Sequence, residues 1–198
     1  MERITIMSEH DREKFEQKLA FHSAPTLLGV KCANLFAVKQ TEQPVSDIKE
    51  YFRTYVPLQS ISIRILCRCR ERALVYIYHK ELLEMWLSDD RVAEYLEGCG
   101  YERALSLDEK LDILDSRILC DSFPHEIGIF LGYPVDDVLG FIENGGANYL
   151  FCGFWKVYSN PESARRKFDK YVYCRNYLCN KIKHGVDLYS AVEKFRRN

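Results

Sequence analysis

The feature that most constrains this chain is a run with a period of two in its first half. Ile61, Ile63, Ile65, Cys67 and Cys69 alternate with Ser62, Arg64, Leu66, Arg68 and Arg70. Successive side chains of a strand point to opposite faces, so this spacing predicts a half-buried strand over 61–69. A charged turn at Arg70–Arg72 leads into Ala73–Tyr78, rich in Val, Ile and Tyr, and the two runs together predict an antiparallel hairpin, 61–69 with 73–78. Helix-patterned segments surround it. The expected class is α+β, with about eight helices around a small sheet of three or four strands.

The helices are read from caps and stripes. The first runs from Ser8 or His10 to about His22, with Phe15, Leu19 and His22 on one face. Pro25 then opens a new segment, a loop or short helix followed by a strand near Leu35–Val38. Pro44 and Ser46 introduce a second helix, ended by Pro57, and helices follow at Lys80–Ser88 and Asp89–Glu97. Ser106-Leu107-Asp108-Glu109 is a capping box, and Leu107, Leu111, Leu114 and Ile118 form the stripe of the helix it opens. A strand at Cys152–Tyr158 precedes the longest helix, which starts at Asn160-Pro161-Glu162 and buries Ala164, Phe168, Tyr171, Leu178 and Ile182. A short helix at Asp187–Arg196 closes the chain.

Composition narrows the class further. The 198 residues, 47% hydrophobic and undivided by any Gly/Ser- or Pro-rich linker, suit one domain over 1–198. Charged residues from Glu9 to Lys14 leave no apolar stretch for a secretory signal. The longest charge-free run, Asn144–Trp155, is too short and too rich in Gly and Asn to span a bilayer. A soluble cytoplasmic protein is expected, with no membrane association and with its 8 cysteines reduced. Charge is uneven: Glu81–Glu143 carries 16 acidic against 4 basic residues, and Gly153–Asn198 carries 11 basic against 4 acidic. Such halves either face each other or attract a charged partner.

Phe123–Ile142 has the clearest local grammar. Pro124 sits in a first helical turn, Gly132 suits a left-handed helix end, and Pro134 begins a second helix. Asp136 and Asp137 complement that helix's dipole, and Val138, Phe141 and Ile142 are its expected buried face. The spacing imitates a DNA-reading helix-turn-helix, but no Lys or Arg occurs between Ile118 and Trp155. Phosphate contacts dominate DNA affinity, so this unit reads as a packed corner.

FPHEIGIFLGYPVDDVLGFI, followed by GFWKVYSNPESARRKFDKY and preceded by HSAPTLLGVKCANLF, resembles the bacterial family called domain of unknown function 3793 over nearly the whole chain. The resemblance implies a shared fold and a cytoplasmic bacterial protein, and it implies no activity. Its three recognised segments give a candidate ligand-binding set: His22, Lys31 and Asn34; His125 and Glu126; Trp155, Lys156 and Tyr158.

Other constellations carry less. Cys67 and Cys69 would project from one face about 6.6 Å apart along a strand, a spacing open to a metal pair but matching the isoleucine stripe. Cys174 and Cys179 lie about 140° apart around a helix. Without CxxC or HExxH, no metal site is assigned, and no cofactor is identified. Cys120, five residues before His125 and with Asp121 or Glu126 to orient the imidazole, supplies an alternative: a thiol- or His-dependent enzyme. A metal- or haem-related binder is a further alternative. Arg64, Arg68, Arg70 and Arg72, with Arg165, Arg166, Lys167 and Lys170, could attract nucleic acid, but a pI near 6.5 and the acidic middle favour self-neutralisation. The leading expectation is a non-enzymatic protein that binds a small ligand or a protein partner.

Overall fold

Alternation at Ile61 builds the centre of the fold. The computed structural model describes residues 7–42, 44–56, 58–68, 72–118 and 123–197. Its elements in chain order are α1 (Glu9–Leu27), β1 (Ala33–Lys39), α2 (Val45–Tyr55), β2 (Ile61–Arg68), β3 (Arg72–His79), α3 (Lys80–Leu87), α4 (Asp90–Gly98) and α5 (Leu107–Arg117). There follow α6 (Ile127–Phe130), α7 (Val135–Glu143), β4 (Phe151–Cys152), β5 (Lys156–Val157), α8 (Pro161–Lys183) and α9 (Leu188–Arg196). The fold is α+β, with nine helices, a three-stranded antiparallel sheet in the order β1-β3-β2, and a two-stranded hairpin among the described residues.

The sheet is covered on both faces. Phe36, Val38, Ile61, Ile65, Val75 and Ile77 pack against α1, α2, α8 and α9. Ala33, Tyr76 and Tyr78 pack on the other face against α3 to α6, through Leu83, Val92, Leu96, Leu111 and Phe130. Tyr76 and Val75 thus serve different cores, as strand alternation requires.

Pairing of β2 with β3 shifts register between Ile65, opposite Val75, and Cys67, opposite Leu74. Leu66 is the extra residue, and a bulge of this kind bends a strand and re-aims its side chains. Leu66 is buried in the second core, on the face it shares with Arg64 as strict alternation gives. Arg64, on that same face, forms ion pairs with Asp108 and Asp112 of α5. Part of the acidic middle therefore meets the basic strand face.

Three expectations are corrected. Helix α1 continues through Pro25 to Leu27, and its residues Ser23–Leu27 are buried. A helix-interior proline forfeits one hydrogen bond; here burial of the last turn outweighs that loss. The helix stops at Gly29, which has φ +71. The strand placed at Cys152–Tyr158 is instead a tight hairpin, Phe151 opposite Val157 and Cys152 opposite Lys156, turning through Gly153-Phe154-Trp155. In α7, Val138 is buried, but Phe141 and Ile142 are 37% and 39% exposed, while Asp137 is 3% exposed. Among the described residues no helix is long and apolar enough to cross a membrane.

Candidate functional site

The corner between α6 and α7 is fixed by side chains from β3 and α3. Tyr76 Oη donates to the Phe130 carbonyl at 2.6 Å, and Trp86 Nε1 donates to the Ile129 carbonyl at 2.8 Å. The first gives the Phe130 carbonyl at the helix end a partner, and the second adds to the Gly132 N–H that the Ile129 carbonyl also accepts at 2.8 Å. Gly132 takes φ +75, and a Cβ there would lie 2.6 Å from Cys32 Sγ, so the chain turns where no other residue would fit. Gly128 permits a second close approach, since its Cβ would lie 2.9 Å from Val138 Cγ2.

Asp137 holds the β4–β5 hairpin to this corner. Its Oδ2 accepts from Trp155 Nε1 at 2.7 Å. Its Oδ1 accepts from the backbone N–H groups of Tyr158 and Ser159, both at 2.8 Å, and from Ser159 Oγ at 3.0 Å. A buried carboxylate is tolerated when its lone pairs are filled in this way. Trp155 then lies 4.5 Å edge-on from Phe168 and stacks 5.1 Å from Tyr133, with distances taken between ring centroids.

Corner and hairpin together line an open cleft of about 500 Å³. Phe123, Pro124, His125, Ile127 and Gly128 contribute from the α6 side, and Tyr133, Asp137, Val138 and Phe141 from the turn and α7. Cys152, Gly153, Phe154, Trp155 and Lys156 contribute from the hairpin. The walls are mainly aromatic and aliphatic, with a few polar groups among them. One exposed ring, Phe141, lies 5.8 Å from the His125 ring and 5.6 Å from Lys156 Nζ. Lys156 Nζ also donates to the Gly146 carbonyl at 2.7 Å and lies 5.1 Å from the Tyr149 ring.

Of the eight residues selected from sequence, His125, Trp155 and Lys156 line this cleft. Tyr158 lies behind it, packed on Gly140, where an added Cβ would come within 2.5 Å of the tyrosine Cβ. Glu126 points into a separate buried network, accepting from Arg117 Nη1 at 2.8 Å and Tyr101 Oη at 3.3 Å. Asn34 Oδ1 accepts from Thr26 Oγ1 at 2.7 Å within the core. His22 stacks on Phe36 and lines a different groove, beside Lys18 and Glu42.

Lys31 sits behind Tyr133 and does not line the cleft. It is 4% exposed, donates to the Ala33 carbonyl at 2.7 Å, and faces the rings of Tyr133 and Tyr171 at 5.3 and 5.9 Å. Burial pulls its pKa down to about 8. The same burial pushes the adjacent Cys32 thiol up to about 11, which makes it a poor nucleophile at neutral pH. Cys174 is likewise pushed up to about 11 by burial. Cys120, the proposed nucleophile of the enzyme alternative, lies outside the described residues, as do Asp121 and Cys69. Cys152, an exposed thiol, lines the cleft. No group of three or more His, Cys, Asp or Glu side chains arranged to hold a metal ion occurs among the described residues.

Sequence reasoning missed Phe141 and Asp137 as elements of the site. A signal for Phe141 existed: α7 carries Val138, Leu139, Phe141 and Ile142, more apolar residues than one stripe of a two-turn helix can bury. Asp137 had no such signal, because its donors come from residues 18 to 22 positions downstream.

A family model described as Protein of unknown function (DUF3793) matches residues 19–192. The chain belongs to this family. The match takes in every segment that lines the cleft, together with the sheet and α8 that support it. No curated protein and no solved structure matches the chain.

Proposed function

We propose that this family member is a small-molecule binding protein whose site is the aromatic cleft between the α6–α7 corner and the β4–β5 hairpin. The observation that carries the reading is the pairing of an apolar, concave lining with a rigid frame. Ligand sites are typically clefts of roughly 300–1,000 Å³ with apolar walls and few polar groups, and this one has about 500 Å³. Its walls are held by the Asp137 bonds and by the Tyr76 and Trp86 bonds to α6, so the shape exists before a ligand arrives. Preorganisation lowers the entropy cost of binding. The reading is binding: the cleft carboxylate, Asp137, is taken up in structure by four donors.

A neutral apolar fluorophore, N-phenyl-1-naphthylamine, tests the reading. Titration into the wild-type protein is expected to give saturable one-site enhancement, with quenching of tryptophan emission. Ile127→Glu, which places a charge in the wall, is expected to weaken binding at least about tenfold, as burying an unpaired charge requires. Non-saturable enhancement, or an affinity that Ile127→Glu leaves unchanged in a folded variant, contradicts the proposal.

A further inference from the structure

We infer that the natural occupant of the cleft is an amphipathic organic anion, its apolar body against Trp155 and Val138 and its acidic head at the Phe141 end, between His125 and Lys156. This rests on the cleft being a ligand site and adds the chemical class of the ligand.

Three observations point the same way. The Lys156 ammonium lines the cleft and has no carboxylate within ion-pairing distance among the described residues; its hydrogen bond to the Gly146 carbonyl spends one of three donors. The carboxylate that lines the same cleft, Asp137, forms no ion pair with Lys156 and accepts instead from Trp155, Tyr158 and Ser159. His125 and Lys156 both lie within 6 Å of the Phe141 ring, which concentrates the nitrogen donors at one end and leaves the other end apolar. Charge-assisted hydrogen bonds to an acidic head are stronger than neutral ones.

An organic cation held by the aromatic rings is the competing occupant. The ammonium of Lys156 already sits over the faces of Phe141 and Tyr149, so a second cation there would meet both a filled ring face and a like charge.

The experiment uses two probes that differ by one acidic group: N-phenyl-1-naphthylamine and 1-anilinonaphthalene-8-sulfonate. Each is titrated into the full-length wild-type protein and followed by the enhancement of its own fluorescence. The sulfonate is expected to bind about tenfold more tightly than the neutral probe, the scale of one charge-assisted bond at a part-exposed site. Lys156→Met is expected to remove that preference, bringing the two probes' affinities to within about twofold of each other. Lys156→Arg, which keeps the charge, is expected to retain it, separating charge from any disturbance of the hairpin. Equal affinities for the two probes, or a preference that survives Lys156→Met, overturn the inference and leave the cleft reading standing. Failure of both probes to bind overturns both.

Discussion

Trp155 Nε1 donates to Asp137 Oδ2 at 2.7 Å, joining the β4–β5 hairpin to the first turn of α7 across 18 residues of chain. The same carboxylate takes three more donors at its other oxygen. Asp137→Asn tests how much the cleft depends on this link. An amide can still accept at Oδ1, but its Nδ2 then faces the indole N–H, donor against donor. The expected loss of unfolding free energy is on the order of 2 kcal/mol, the cost of breaking a charge-assisted bond and leaving a buried donor unpaired. Urea denaturation measures it. A change below about 0.5 kcal/mol would mean the hairpin is held by ring packing alone.

Two glycines should respond in opposite directions to the same substitution. A Cβ on Gly153 would lie 2.2 Å from Phe168 Cε2, and Phe168 packs edge-on against Trp155. Gly153→Ala therefore forces a buried ring to move and is expected to cost about 1–3 kcal/mol, the usual range for overpacking. Gly98 ends α4 with nothing within 4 Å of its would-be Cβ. Gly98→Ala is expected to stabilise by roughly 0.5–1 kcal/mol through helix propensity. Thermal or denaturant melts of the two variants check both signs together.

The hairpin at 61–79, the capping box at Ser106–Glu109 and the α8 stripe were legible because each is written in local periodicity or cap chemistry. Ser106 Oγ and Glu109 do bond reciprocally, and Ala164, Phe168, Tyr171, Leu178 and Ile182 are all buried. What could not be read depends on contacts distant in sequence. The register shift at Leu66 shows only in the pairing of β2 with β3 and leaves no mark in the spacing of the run, and α1 passes Pro25 because the core covers its last turn. The candidate site divides in the same way. His125, Trp155 and Lys156 lie in segments singled out by family resemblance and do line one cleft. Their companions Glu126 and Asn34 share those segments but satisfy Arg117, Tyr101 and Thr26 instead. Adjacency in a motif does not decide which way a side chain turns.

Lys31 gives a pH signature. Its pKa is about 8 in the folded protein, against 10.5 as its ordinary value. Below pH 8 the ammonium is charged in both states, and the cost of burying it is felt in full. Between pH 8 and 10.5 the unfolded chain binds more protons than the folded one, so stability gains from rising pH. The full effect is on the order of 3 kcal/mol. Comparing wild type with Lys31→Met at pH 7 and pH 10 isolates it from other titrations. Wild type is expected to gain on the variant by roughly 2–3 kcal/mol over that interval. A difference that stays constant with pH contradicts a buried charged lysine.

The cleft's occupancy can be read most directly at Cys152, an exposed thiol among its lining residues. The measurement is the rate of Cys152 alkylation by iodoacetamide, followed by peptide mass spectrometry, with and without saturating N-phenyl-1-naphthylamine. A ligand seated between the hairpin and α7 covers this thiol, so the predicted result is at least about a fivefold slowing at Cys152, consistent with a bound fraction above about 80% when probe exceeds its Kd severalfold. Cys179, on the far helix α8 and outside the cleft, should keep its rate. An unchanged Cys152 rate at probe concentrations that saturate fluorescence would place the ligand elsewhere and contradict the account.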